Sequence, residues 1–595
     1  MNAIHEKGES SSIQFMISGR RLAQLMRSKL VMSETAPFIP ESAPFTAEQR
    51  EWLNGFLAGM FLSQPGVALP EPTAIATKGR VPILFASQSG NAEGLAEALS
   101  ERLQAAGFDA PPINAEDHTE LDLCKETNVL VLSSTWGEGD PPDSAVEFWD
   151  KLQAEDHPPL DNLSFSVCGL GDTNYLEFCA MGKLIDARLE ALGATRIAPR
   201  ADCDVDFEEP ADAWFASVLE KLDSTAPRPE SPTPTADADY GKKNPFPAPL
   251  LTNLRLNKAE SSRDTRHFEF SLEGSGLEYQ AGDALGVLPT NCPEYVDDLL
   301  STLGYTGEEL VPLPDSTEAP VSEAFLRSYA ITLPGKKLQA AFTDASGIVC
   351  DQDYLWGRET IDLFSEAPDF RPSPAELVSL LSKLQPRLYS ISSSPKAHPG
   401  EVHLTVAAVR YESNGRSRKG VCSTFLADRC DNNAAGVFVH VSKGFRPPED
   451  PTTKMIMVGP GTGIAPFRAF VEERIATGAT TENWLFFGNP HQDTDFLYED
   501  DLTAMVDAGH LRLDTAWSRD GANKIYVQHL MLQSAKELWS WLEQGAHFYV
   551  CGDAKRMAKD VEEALVAIIE GQGGVAASDY LATMRKERRY QRDVY

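Results

Sequence analysis

Two distant stretches of the chain show the same rhythm: a short apolar run, a small-residue loop, then a helical pattern. The clearest runs are Val81–Ala86, Val129–Ser133 and Phe165–Cys168 in the first stretch. In the second they are Met455–Val458, Trp484–Phe487 and His547–Val550. Strands so uniformly apolar are covered on both faces, so the pattern predicts two parallel sheets, each flanked by helices. Between them, Arg266–Leu272, Val402–Tyr411 and Gly436–Val441 alternate apolar and polar residues, which predicts an antiparallel barrel. Helix-like stretches interrupt that middle region between about 291 and 385.

The expected organisation follows from these shifts. Residues 1–45 form an extension that is either disordered or upstream of the true start. Residues 46–78 form a helical segment, 79–222 the first sheet, 223–247 a Pro- and Thr-rich linker, 248–450 the barrel with its insert, and 451–595 the second sheet. Thr46 to Leu62 reads as a helix with Thr46 as N-cap and Trp52, Phe56 and Met60 on one face. That face either docks on its own domain or joins copies of the chain. Further upstream, Arg20, Arg21, Arg27 and Lys29 interleave with Leu22, Leu25, Met26 and Leu30. This is either a basic amphipathic helix for a membrane surface or targeting, or sequence preceding initiation at Met32.

Bulk properties exclude several classes. A net charge of -35 over 595 residues would repel nucleic acid rather than attract it. Nine cysteines with no CxxC pair signal no zinc or iron–sulfur site, and reduced thiols in a cytoplasm are expected. No apolar run approaches the roughly 20 residues of a membrane span, so integral membrane association is not expected.

The loops carry the chemistry. Ser87, Gln88, Ser89, Gly90, Asn91 and Ala92 lead from the first strand into a helix, an N-terminus suited to a single phosphate. Ser134, Thr135, Trp136 and Gly137 leave a second strand. Leu170, Gly171, Asp172, Thr173, Asn174, Tyr175, Leu176, Glu177, Phe178 and Cys179 leave a third. Carboxyl ends of parallel strands are where ligands bind, and Trp136 with Tyr175 can sandwich a flat ring, worth about 0.5–1.5 kcal/mol beyond burial. Glu138, Asp140, Asp143, Glu147, Asp202, Asp204, Asp206, Glu208 and Glu209 crowd this region, as a solvated face or as a rim that steers a basic acceptor.

Further on, Arg387, Leu388, Tyr389 and Ser390 supply a guanidinium fork, a stacking face and a hydroxyl. Gly459–Arg468, including Gly461 and Thr462, is a glycine-rich turn through which a backbone can approach a pyrophosphate. Ser518, Arg519, Lys524, Tyr526 and Gln528 offer the cations and hydroxyls that a 2'-phosphate needs, where an NAD enzyme would place an acid on the ribose.

These segments resemble the diflavin reductases, and among them the flavoprotein components of assimilatory sulfite reductases. The likeness is carried by SQSGNA, STWGEG, LGDTNYLEFC, RLYS, GPGTGIAPFR, the segment NWLFFGNPH at 483–491 and the tail ERRYQRDVY at 587–595. It implies a multidomain α/β fold: a flavodoxin-like FMN domain, a ferredoxin–NADP reductase-type FAD barrel with a helical insert, and a Rossmann-like NADP-binding domain. By this resemblance FMN lies in the three early loops. FAD lies on Thr332, Arg387 to Ser390, Thr405, Val406, Ala407, Tyr411, Gly420, Val421, Cys422 and Ser423. NADPH lies on Gly461, Thr462, Ser518, Arg519, Lys524, Ile525, Tyr526, Val527 and Gln528, with Asp560 beside it. Ser390, Cys551 and Asp593 are implied as the hydride-transfer group, and Tyr595 as an aromatic over the FAD ring that swings aside for nicotinamide.

The implied electron path runs from NADPH through FAD and FMN to a sirohaem/iron–sulfur partner subunit that reduces sulfite to sulfide. Self-association through the N-terminal segment is implied too. Two alternatives stand beside it: a soluble reductase for a P450 or other haem protein, and a non-catalytic carrier or scaffold. Intact Ser390, Cys551 and Asp593 speak against the last.

Overall fold

The structure is a computed structural model that describes residues 78–87, 90–135, 139, 141–171, 177–204, 207–222, 240–242, 244–430, 434–442, 444–479 and 482–595. The expected N-terminal helix, the basic segment before it and most of the linker lie outside the described residues.

The first sheet holds β1 (Ile83–Ala86), β2 (Pro112–Asn114), β3 (Asn128–Ser134), β4 (Ser164–Leu170), β5 (Thr195–Arg196) and β6 (Ala201–Cys203). Its order is β2-β1-β3-β4-β5, with β6 also on β4, and its pairings are parallel. Nearly every residue of β3 and β4 is buried, because helices cover both faces. Leu99, Leu103, Trp214 and Phe215 pack on one face, and Phe148, Leu152, Ile185 and Leu189 on the other.

The middle region contains β7 (Phe246–Arg255), β8 (Thr265–Ser271), β9 (Ala284–Leu288), β10 (Leu310–Pro312), β11 (Glu318–Pro320), β12 (Tyr329–Ala330), β13 (Ser382–Lys383), β14 (Arg387–Ser390), β15 (Glu401–Ala407), β16 (Arg410–Ser413), β17 (Arg416–Lys419) and β18 (Ala434–His440). Six of these make an antiparallel sheet in the order β14-β9-β18-β7-β8-β15, and a bridge between Ile391 and Leu404 joins its two ends into a barrel. β7 begins at Phe246, inside the segment expected as linker, because Phe246 and Pro247 pair with Val437 and Gly436. The expected strand Val402–Tyr411 is two strands. The chain leaves the barrel after Ala407, where the Ala408 N–H donates to the Asp264 carbonyl and the Val409 carbonyl accepts from Gly420. β16 and β17 then form a separate hairpin.

The helical insert has its own core around Leu299, Phe325 and Phe364. Buried Arg418 of β17 donates to Glu359 (2.7 Å) and Asp362 (2.5 Å) at the start of helix Thr360–Glu366, pinning insert to barrel. Removing one partner would strand a buried charge, at a cost of about 3–5 kcal/mol.

The last sheet is wholly parallel, in the order β21-β20-β19-β22-β23: β19 (Met455–Val458), β20 (Asn483–Asn489), β21 (Arg512–Trp517), β22 (His547–Gly552) and β23 (Tyr590–Val594). The first and last sheets carry their loops at strand carboxyl ends, and those ends hold the site. No helix among the described residues is long and apolar enough to cross a membrane.

Candidate functional site

At the carboxyl end of β1, the Ser87 hydroxyl accepts the Ala92 N–H at 3.2 Å, folding the loop onto helix Asn91–Ala105. Gly90 caps that helix at φ +81, a left-handed conformation that strains other residues. The Ser134 hydroxyl donates to the Ala86 carbonyl at 3.0 Å, tying the second loop to the first. Thr135 donates its N–H to Leu170 and accepts the Met181 N–H at 3.2 Å, tying it to the third. Gly171 admits no side chain: a Cβ there would lie 2.8 Å from the Cys179 nitrogen. Cys179 is buried with its thiol on the Gly169 carbonyl, a packing role rather than a ligand-facing one. Phe178 is half-buried and Glu177 exposed. Gln88, Ser89, Trp136, Gly137, Asp172, Thr173, Asn174, Tyr175 and Leu176 lie outside the described residues, as do Glu138, Asp140 and Asp206 of the acidic rim.

In the barrel, β14 presents Arg387, Leu388, Tyr389 and Ser390 to a cavity of about 860 Å3. Thr405, Val406 and Ala407 of β15 line it, as do Gly420, Val421, Cys422 and Ser423 at the start of a short helix. Gly420 is fixed by contact, since a Cβ would meet Val409 at 2.8 Å and the Ser423 hydroxyl at 2.6 Å. Burial pushes the Cys422 thiol up to about 12, so it is an unreactive wall. Thr332 opens instead on a second hollow of about 300 Å3, with Arg418 and Thr424, which shares Val421 with the first. Tyr411 stands exposed on the β16–β17 hairpin.

The large cavity also reaches Ser87 and Gly90 on one side and Thr462, Asp593 and Tyr595 on another. There the Ser390 hydroxyl donates to the Asp593 carboxylate at 2.6 Å, and the Cys551 thiol reaches the same oxygen at 3.7 Å. Cys551 of β22 sits directly opposite Asp593 of β23. Burial raises the Asp593 carboxyl, with the Ser390 and Cys551 hydrogen bonds acting in the opposite direction. Burial first, and then the Asp593 charge, hold the Cys551 thiol well above its ordinary value, so it is protonated at neutral pH. Gly463 packs onto this strand end; a Cβ would lie 2.1 Å from the Cys551 carbonyl oxygen. Tyr595 donates its N–H to Gly552, and its hydroxyl bonds Thr462 at 2.8 Å. The Tyr595 ring lines the cavity beside Ser390 and Asp593, with Thr462 as the side-chain partner of its hydroxyl.

Beyond β21, Ser518 and Arg519 are fastened by backbone bonds to Asn489 and Pro490, leaving the Arg519 side chain exposed. The adjacent acid, Asp520, is turned away to His491 (2.8 Å) and the Gln492 N–H (2.8 Å). Lys524, Ile525 and Tyr526 are exposed, Val527 is buried at the start of helix Val527–Gln533, and Gln528 donates to Asp560 at 2.9 Å. Sequence reasoning thus named two residues here that the fold brings together. Gly461, at φ +60, has open space where a Cβ would stand.

Two groups escaped the sequence. Asp283, Arg446 and Gln591 join barrel to last sheet at the edge of the cavity, which Gln591 lines. His267, His398 and His403 pack ring to ring beside Glu269 and Glu401, with centroid separations of 5.0 and 4.3 Å. Burial pushes His403 down to about 2, and nearby His267, His398 and Arg468 act the same way. His267 is already bonded to Tyr498 and Glu269. The Arg468 charge opposes a cation, so the cluster reads as a packing joint between barrel and sheet. His267 and Glu269 share β8, and Glu401 and His403 share β15, but the pairing of those two strands and the approach of His398 are set by the fold and leave no local pattern.

The residues fit flavin and nucleotide ligands. The cavity has aromatic faces at Tyr389 and Tyr595, a guanidinium at Arg387, and glycine turns where backbone must approach closely. The flavodoxin family model matches residues 83–214, the FAD binding domain model 238–334 and 336–425, and the oxidoreductase NAD-binding domain model 457–563. Those three modules in that order define an NADPH-dependent diflavin oxidoreductase with FMN, FAD and NADPH as cofactors. The sulfite reductase (NADPH) flavoprotein alpha-component of Bacillus subtilis strain 168 is 44% identical over 580 residues, covering 92% of this chain and 96% of its own length. Those of Cronobacter sakazakii (42%; 93% and 96% covered) and Vibrio parahaemolyticus (41%; 92% and 93%) are similar too. The chain belongs to this family of sulfite reductase flavoprotein alpha-components.

Proposed function

We propose that this chain passes electrons from NADPH to a separate sirohaem/iron–sulfur subunit, which reduces sulfite to sulfide in the cytoplasm. The observation that carries the reading is the meeting of Ser390, Cys551 and Asp593 on a cavity that Ser87 and Gly90 also line. The relatives' names support the acceptor. Iron–sulfur ligation belongs to the partner, because this chain has no cysteine array for it.

Bound FAD would supply a two-electron acceptor for hydride from NADPH, and bound FMN a one-electron outlet toward the acceptor. Ser390 and Cys551 are the donors that orient the Asp593 carboxylate at the reacting face, and Cys551 keeps a proton there. Tyr595 covers that face until nicotinamide displaces it. Arg519, Ser518, Lys524, Tyr526 and Gln528 hold the 2'-phosphate. Ser87 and the Gly90-capped helix hold the FMN phosphate, and Arg387 and Gly420–Ser423 hold the FAD pyrophosphate. Thr332 contributes from the insert and Tyr411 from the β16–β17 hairpin, and Asp560 acts through Gln528. Residues 79–222, 248–450 and 451–595 serve as the FMN, FAD and NADPH domains, and 46–78 as a self-association segment.

The purified chain is expected to be yellow, with one FAD and one FMN, and to reduce cytochrome c with NADPH far better than with NADH. Addition of the haemoprotein subunit is expected to give NADPH-dependent sulfide. Cytochrome c reduction without sulfide in that mixture would overturn the acceptor while leaving the relay intact. Loss of self-association on deleting residues 1–77, read by light scattering, tests the N-terminal role.

A further inference from the structure

The bond from Ser390 to Asp593 joins residues 203 positions apart, one on a barrel strand and one on the edge strand of the last sheet. Neither strand pairs with the other, so something else must set their spacing. The seam behind them is organised around Arg446, half-buried between barrel and sheet. Its guanidinium donates to the carboxylate of Asp283, a residue only 1% exposed, and to the Ala281 carbonyl at 3.4 Å. Its backbone faces the other way: the Arg446 N–H donates to the Gln591 side-chain oxygen at 2.8 Å, and its carbonyl accepts from the Tyr549 hydroxyl at 2.8 Å.

Each end of this fastener is one step from the reacting pair. The Asp283 carbonyl accepts the N–H of Ile391, the residue after Ser390. Gln591 lies two residues before Asp593 on β23, and its amide also donates to the Arg588 carbonyl at 2.7 Å. Asp283 is held from further sides by the N–H groups of Ser442 and Gln280, both at 2.8 Å. Gly282 permits the close approach: at φ +101, a Cβ there would lie 2.0 Å from the Phe445 carbonyl oxygen.

We infer that Arg446 and Asp283 are positioning residues that set the distance between Ser390 and Asp593, and thereby the alignment of nicotinamide with FAD. This rests on the proposed hydride-transfer role of that pair. A loss of about 1 Å in such alignment costs on the order of 100-fold in rate, so the effect belongs in kcat rather than in NADPH binding.

The test uses the full-length holoprotein and the variants Arg446→Gln, Arg446→Lys and Asp283→Asn. Stopped-flow absorbance follows FAD reduction by NADPH, and amide hydrogen exchange follows residues 590–594. Arg446→Gln is expected to retain FAD, to keep KM for NADPH within about twofold, to slow FAD reduction about 10- to 100-fold and to speed exchange in β23. Arg446→Lys, which keeps a charge for Asp283, is expected to recover much of the rate. Wild-type rates in Arg446→Gln, or slowed rates with unchanged β23 exchange and no rescue by lysine, overturn the inference. Should Arg446→Gln fail to fold, Asp283→Asn, which keeps the shape of the contact, decides by the same two readouts. Failure of the wild-type chain itself to reduce FAD with NADPH would instead sink the functional reading.

Discussion

The FMN loops and the hydride seam solve the same problem in opposite ways. The FMN loops are local: Ser87 bonds Ala92 five residues away, and the three strands from which the loops leave are adjacent and parallel. The seam is long-range: Ser390, Cys551 and Asp593 converge from a barrel strand and two strands of another sheet. A local site depends on turn geometry, whereas a seam depends on how two cores dock. Damage to the first should release a ligand, and damage to the second should leave ligands bound but misaligned.

The sharpest break between the two is Asp593→Asn. It is expected to lower NADPH-driven cytochrome c reduction by about 100-fold or more while both flavins stay bound; flavin release on the same substitution would erase the contrast. Arg519→Gln tests a third, exposed kind of site. Losing one charge-assisted contact of about 1.5–3 kcal/mol should raise KM for NADPH about 10- to 100-fold, leaving KM for NADH little changed in steady-state assays. Gly171→Ala forces a side chain against Cys179, with overpacking of about 1–3 kcal/mol. It should weaken FMN binding about tenfold and cut cytochrome c reduction, while NADPH–ferricyanide activity, drawn from FAD, persists.

The smallest effect concerns pH and the histidine joint. His403 has a depressed folded value, so its contribution is full above the unfolded value near 6.5 and is lost as pH falls. From pH 6.5 to 5 the loss is about 1.7 kcal/mol, the slope rising from half of about 1.4 kcal/mol per pH unit to nearly all of it. Denaturant melts of His403→Gln should show a shallower loss of stability over that interval than the parent; parallel slopes would remove His403 from the joint.

This contrast also explains what was legible in the sequence. Loops that follow apolar strands announce themselves, so the Ser87, Ser134 and Leu170 segments, the 459–468 turn and all three sheets were readable from pattern. Ser390, Cys551 and Asp593 were named by family likeness; nothing in their local sequence shows that they touch. Asp283 and Arg446 were invisible because a contact between single residues from separate segments has no period. The end of β15 at Ala407 was missed because Ala408 and Val409 look strand-like, and only their bonds to Asp264 and Gly420 turn the chain outward.

The enclosure of Cys551 has a practical consequence. Its thiol is fully covered, whereas Cys124 lies exposed. A maleimide added to the resting protein should therefore mark Cys124 at once and Cys551 only when barrel and sheet part. The lag between the two labels, resolved by mass spectrometry, becomes a clock for that parting, and bound NADPH should slow it.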